Sequence, residues 1–219
     1  MLCLSVFFTM AQSSIRHLIR SQSVSRRKDL PECGISRRCR RLRSLLMTYP
    51  RFAAAWFELG QVQMQKNDPA GARHSYQQSL AADSKYINPY HGLTQLAMRE
   101  QKWQELTELS EKLLALNPVN FPEAWLSNAL GNYCLRNFTA AEKSARRGLQ
   151  LDAEHQVPKL EYMLGMILLK TSNYEEAAKH LRAFLSLTTK PAEVAEAQKQ
   201  LDEITRLSAT ANLATGEKK

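Results

Sequence analysis

An all-α stack of two-helix units is the fold this sequence predicts, on three observations. A small or apolar residue recurs at Ala72, Leu106, Ala141 and Ala177, in steps of 34, 35 and 36 residues. A leucine follows each eight residues later, at Leu80, Leu114, Leu149 and Leu185. An aromatic behind a polar residue precedes three of the four, as Lys102-Trp103, Asn137-Phe138 and Asn173-Tyr174. A period of this length marks repeated hairpins that lean on their neighbours rather than one closed globule.

The elements follow in order. Residues 1–36 form a basic leader that predicts disorder. Its first eleven residues are apolar and end in Thr9-Met10-Ala11, a passable cleavage pattern without a basic start, while residues 12–28 carry Ser and Arg and no acid, which also suits a transit peptide. Residues 37–50 predict an orphan helix, with Leu42, Leu45 and Leu46 on one face and Tyr49-Pro50 as its stop. It has the pattern of a second helix without its first, and its apolar face needs a cover.

Four units then span 53–86, 87–120, 122–155 and 158–191. In the first, Trp56, Leu59 and Gly60 lie on helix one, Asn67-Asp68-Pro69 turns the chain, and Ala72, Tyr76 and Leu80 lie on helix two. The second has Tyr90 and Leu93, a turn at Gln101-Lys102, and a stop at Asn117-Pro118. The third has Trp125, Ala129 and Ala145, and the fourth has Leu164-Gly165, Leu181 and a stop at Pro191. Small residues late in the first helices and early in the second let two axes approach closely. A capping helix over 192–207 shows a narrow stripe of Val194, Ala197, Leu201 and Ile204 beside charged residues, as the end of an array requires. Residues 208–219 are small and polar and predict a disordered tail.

The formal charge of +9 is unevenly placed. Residues 1–52 hold 11 Lys and Arg, ten of them Arg, against Asp29 and Glu32, so the repeat body is neutral. The basic balance is therefore no evidence that the folded part binds nucleic acid. No apolar run is long enough to span a membrane. Four cysteines make no disulfide scaffold, and Cys33 and Cys39 read as free thiols. The compartment stays open: cytoplasmic by default, exported if residues 1–11 act as a signal.

Trp56-x2-Leu59-Gly60 with Ala72 and Tyr76, and Leu164-Gly165 with Tyr174-Glu175-Glu176-Ala177, resemble the tetratricopeptide repeat (TPR) family over about 53–207. The resemblance implies a right-handed α-solenoid of antiparallel helix pairs. Departures exist: Leu106 and Thr94 replace small residues in the second unit. In the third, Asn128 stands where leucine is expected and Leu130-Gly131 follows two residues later, which predicts a shifted register.

The resemblance also implies a concave groove, lined by first helices, that takes a segment of a partner protein. On the matching positions it would present Phe57, Gln61 and Met64, then His91, Gln95 and Met98, then Leu126, Leu130 and Tyr133, then Tyr162, Met166 and Leu169. Met64, Met98, Met163 and Met166 fall on or beside that surface, and methionine suits varied apolar partners. The rival reading is ordinary packing between helices, since apolar stripes at helical spacing are core more often than not.

Chaperone-binding relatives grip a C-terminal carboxylate with basic residues at set first-helix positions. Here those positions hold Phe57, Gln61, Gly92, Glu123 and Ser127, and only Lys159 is basic in the fourth unit, so an Hsp tail is excluded as partner. No phosphate-cradling loop, Gly-x-Ser-x-Gly or His-Glu-x-x-His occurs, so no enzyme activity and no cofactor are expected. The five histidines show no helical pairing, and no metal is expected either. The expected function is a non-catalytic interaction scaffold. The alternative is the C-terminal structural part of a larger array with no ligand of its own. The Arg-rich leader leaves nucleic acid or an anionic membrane as a minor possibility.

Overall fold

Ten helices, and no strand, fill the part of the chain described by the computed structural model, residues 32–216, with side chains described for 36–209. The signal-like start and most of the basic leader lie outside that range. The helices are α1 (Glu32–Thr48), α2 (Ala53–Gln65), α3 (Pro69–Ala82), α4 (Ile87–Arg99), α5 (Trp103–Leu116), α6 (Pro122–Cys134), α7 (Phe138–Leu151), α8 (Lys159–Lys170), α9 (Tyr174–Leu187) and α10 (Pro191–Gly216). They divide into two compact units, Met1–Glu105 and Leu106–Lys219, with the boundary early in α5. In the first, α1 packs on α2, α2 on α3, and α3 on α4. In the second, α6 packs on α7, α7 on α8, α8 on α9 and α9 on α10.

One turn geometry recurs four times. Asn67, Gln101, Arg136 and Ser172 have φ of 57°, 58°, 64° and 63°, the left-handed region, at the repeat spacing. Each of their N–H groups donates three residues back, to Met64, Met98, Tyr133 and Leu169. The next N–H reaches five back: Asp68 to Gln63, Lys102 to Ala97, Asn137 to Asn132 and Asn173 to Leu168, all within 2.8–2.9 Å. This paired pattern closes a helix end by satisfying its orphan carbonyls. The following residue already belongs to the next helix start. At Asp68 the side chain accepts from the Gly71 N–H at 2.9 Å, and Pro69 supplies a first position that needs no donor.

The core repeats with the sequence. Ala72, Leu106, Ala141 and Ala177 are wholly buried, as are Leu59, Leu93 and Leu164 in the facing first helices. Asn128 occupies the leucine position of the third unit and is itself buried, with Ala129 behind it in the small position. The expected register shift therefore does not occur. A polar cluster takes the place of the apolar contact. The Asn128 amide donates to the Ser110 hydroxyl at 3.1 Å, and its oxygen accepts from Ser144 at 2.7 Å and from Asn132 at 3.0 Å.

The helix ends differ from expectation at both limits. α1 begins at Glu32, upstream of the orphan helix expected from 37. α10 continues to Gly216, through the tail expected to be disordered from 208, because the stretch holds three alanines and has no breaker before the glycine. The apolar face of α1 is covered by α2: Cys39 and Leu46 are buried with Ala55, Leu59 and Val62, and Leu42, Leu45 and Trp56 pack at the margin.

Candidate partner-binding groove

The first helices of the amino-terminal unit present matching faces. Phe57, Gln61 and Met64 lie at positions i, i+4 and i+7 of α2, one stripe of the helix. His91, Gln95 and Met98 hold the same places on α4, and the two helices touch. The opposite stripes, Leu59 and Val62 on one and Leu93, Leu96 and Ala97 on the other, are buried against the second helices. Gln61 is exposed, and the other five are half-buried.

Tyr76 of α3 forms the floor between them. A Cβ on Gly60 would stand 2.5 Å from one edge of its ring, and a Cβ on Gly92 would stand 2.7 Å from the other. Only glycine on both flanks lets the ring lie there. The Phe57 ring rests against Tyr76, centroids 5.7 Å apart, and meets Tyr86 edge-on at 5.8 Å. Burial, with a lesser push from Glu58, raises the Tyr76 phenol to about 12, so it stays neutral through the physiological range. The groove floor is thus apolar and uncharged, and amide and thioether side chains stand above it.

The carboxy-terminal unit treats the equivalent positions differently. Leu126 on α6 is half-buried, but Leu130, Tyr133, Tyr162, Met166 and Leu169 are buried. Tyr133 meets the Phe138 ring edge-on at 5.7 Å, and Tyr162 lies 5.2 Å from Phe184 on α9. Every residue of α8 from Leu160 to Leu169 is buried, as expected of a helix that is apolar all round. Repeat spacing alone marks these five as equals of Phe57, Gln61, Met64 and their counterparts on α4. What lies over α6 and α8 makes the difference, and nothing in the period reports it.

Charged groups within that unit pair off. The Glu161 carboxylate, buried in α8, meets His180 Nδ1 at 2.6 Å, and His180 Nε2 lies 3.7 Å from Glu176. Arg146 donates to Glu176 at 2.7 Å and to Glu142 at 2.8 Å, and its hydrogen bond is the main cause holding the Glu176 carboxyl below its ordinary value. The pairing of His180 with Glu176, one helical turn apart, was legible in the sequence; the contact with Glu161 across two helices was not. Among the described residues no group of three or more His, Cys, Asp or Glu could hold a metal, and no helix is long and apolar enough to cross a membrane. Cys39 and Cys134 are free thiols.

Two tetratricopeptide repeat family models match the chain, over residues 40–87 and 161–191. No curated protein matches it. Among solved structures it is similar to a tetratricopeptide repeat protein from Parabacteroides merdae, with TM-score 0.67 and 17% identity over 94% of this chain and 76% of that one. It is also similar to MamA from Desulfovibrio magneticus, with TM-score 0.63 and 12% identity over 82% and 94% of the two chains. A third is YrrB, described as having an unusual peptide-binding site, with TM-score 0.58 and 14% identity over 80% and 97%. At these identities the likeness is one of fold.

Proposed function

This chain is built of tetratricopeptide repeats, and from that premise we propose that it is a non-catalytic scaffold that holds a partner protein's segment on the first helices of its amino-terminal unit. The observation that carries the reading is the doubled set Phe57, Gln61, Met64 and His91, Gln95, Met98. These residues sit in register on two touching helices and stay partly accessible while the stripes behind them are buried. Two flexible thioethers over an aromatic floor favour an apolar segment, and the two amides can bond its backbone. In the carboxy-terminal unit Leu126 is half-buried, and the buried Leu130, Tyr133, Tyr162, Met166 and Leu169 serve packing there.

The test is binding of a peptide array by the wild type, by Met98→Glu and by Met64→Glu, with circular dichroism as a folding control. Loss of the wild-type peptides by both folded variants is expected. Retained binding by folded Met64→Glu and Met98→Glu would refute the groove. A second reading, a structural segment without its own ligand, draws on the five buried positions. An empty array from a folded wild type would favour it.

A further inference from the structure

We propose that the outward face of α1, together with the apolar knuckle that ends it, docks an acidic amphipathic helix of a partner protein. This surface is separate from the groove and does not depend on it. Arg37, Arg40, Arg41 and Arg43 are all exposed on α1, and among the described residues none of them makes an ion pair. Arg38 points inward instead, to Glu58 on α2. Unpaired arginines at three- and four-residue spacing form a ladder suited to carboxylates on a facing helix, since guanidinium binds carboxylate with two parallel hydrogen bonds.

The ladder ends in apolar side chains left in water. Met47 is 88% exposed, Tyr49 60% and Phe52 48%. Tyr49 and Phe52 border a shallow depression formed with Leu45, Thr48, Pro50 and Arg51. Two hydrogen bonds tie its backbone. The Trp56 indole donates to the Pro50 carbonyl at 2.8 Å, and the Phe52 N–H donates to the Tyr49 carbonyl at 3.1 Å. A contiguous exposed apolar patch beside charge is a usual mark of an interaction site.

Three arguments select the occupant. α1 has the register of a second helix, because Leu42 and Leu46 stand 34 residues before Tyr76 and Leu80. The second helix α3 is flanked by two helices, α2 and α4, whereas α1 packs on α2 alone among the described helices. Among the described residues that flank carries no second helix, and its register is one that takes a helix. Residues 1–31 carry five Lys and Arg against Asp29, a net charge of the same sign as the ladder. A second copy meeting face to face would bring the same arginines together. An acidic helix with apolar residues three and four apart satisfies both halves of the surface.

The experiment measures fluorescence anisotropy of a labelled peptide of about 18 residues, long enough to hold a helix, with leucines three and four apart and glutamates between, against the full chain. Expected is saturable binding that weakens at higher salt. It should fall about tenfold or more with Arg40→Glu/Arg43→Glu and also with Tyr49→Ser/Phe52→Ser. It should be unchanged in Met98→Glu, which separates this surface from the groove. All substituted positions of the edge are exposed, and circular dichroism checks that each variant is folded. No binding of the leucine peptide would overturn the proposal. So would equal binding of a control with serine for leucine, or binding that survives both double variants. Tighter Arg40- and Arg43-dependent binding to phosphatidylserine vesicles or to duplex DNA would overturn it in favour of a membrane or nucleic-acid surface.

Discussion

Tyr76 shows how much one side chain asks of its neighbours. Its ring lies where Gly60 and Gly92 have no Cβ, so one residue in the second helix constrains one in each of two first helices. Gly60→Ala and Gly92→Ala are each expected to cost about 1–3 kcal/mol by overpacking, although alanine is the better helix former. Urea unfolding of the two variants measures this; an unchanged midpoint would mean that the ring can move aside. Gly60 was legible as a small repeat position, but Gly92 was not. It stands two residues before Thr94, which occupies the expected place, so only the ring's position explains it. Asn128 is the opposite case, a residue that looks like a defect in the pattern and is a fully bonded part of the core. Asn128→Leu restores the leucine found at the other three units, yet it strips Ser110 and Ser144 of a buried partner. The expected loss is about 1–3 kcal/mol, read as a lower urea midpoint and relieved by adding Ser110→Ala and Ser144→Ala.

At the scale of elements, the hairpin turns were visible as polar residues ahead of an aromatic, but their backbone was not. A left-handed φ at Gln101, Arg136 and Ser172 is carried by residues that have a Cβ, so composition gave no glycine to announce it. Gln101→Gly should therefore stabilise the chain, by about 0.5–1 kcal/mol, and raise its melting temperature. A fall in melting temperature would show that the added chain freedom outweighs the relief. The last helix is fixed by charge as well as by its apolar stripe. Glu193 of α10 is buried and accepts from Thr188 at 2.7 Å and from Lys190 at 3.2 Å, with Lys159 of α8 at 3.5 Å. Burial pushes its carboxyl up, but these three partners outweigh burial and leave it below the ordinary 4.5. A folded value lower than the unfolded one stabilises fully above the unfolded value, and that contribution is lost as pH falls through the folded value. Glu193→Gln should be less stable at neutral pH and lose less on acidification below the ordinary carboxylate range. Thermal melts of both proteins from pH 7 to pH 3 give the comparison.

For the molecule as a whole, the all-α class and the helix pairs are legible from period alone, because every unit must put its small and apolar residues in the same places. Accessibility is not, because a period says which positions are equivalent and not what lies over them. Met64 and Met98 keep partial access, while Tyr133 and Leu169, in the same register, are buried. Stability should follow the same inequality. Amide exchange is expected to be slowest in α8, whose residues from Leu160 to Leu169 are all buried, and faster in α1 and the end of α10. Uniform protection along the chain would contradict that gradient.

The asparagine in the third hairpin has a consequence for how the array is put together. Look-alike modules made one after another on the ribosome can clasp the wrong sibling, and apolar seams do little to forbid it. Asn128 breaks that degeneracy, because its donor and acceptor are matched by Ser110 and Ser144, while tyrosine, alanine or leucine stands in the place of Ser110 in the other modules. A mistaken clasp would strand an amide in oil, so a single departure from the pattern acts as a key that fits one lock during assembly.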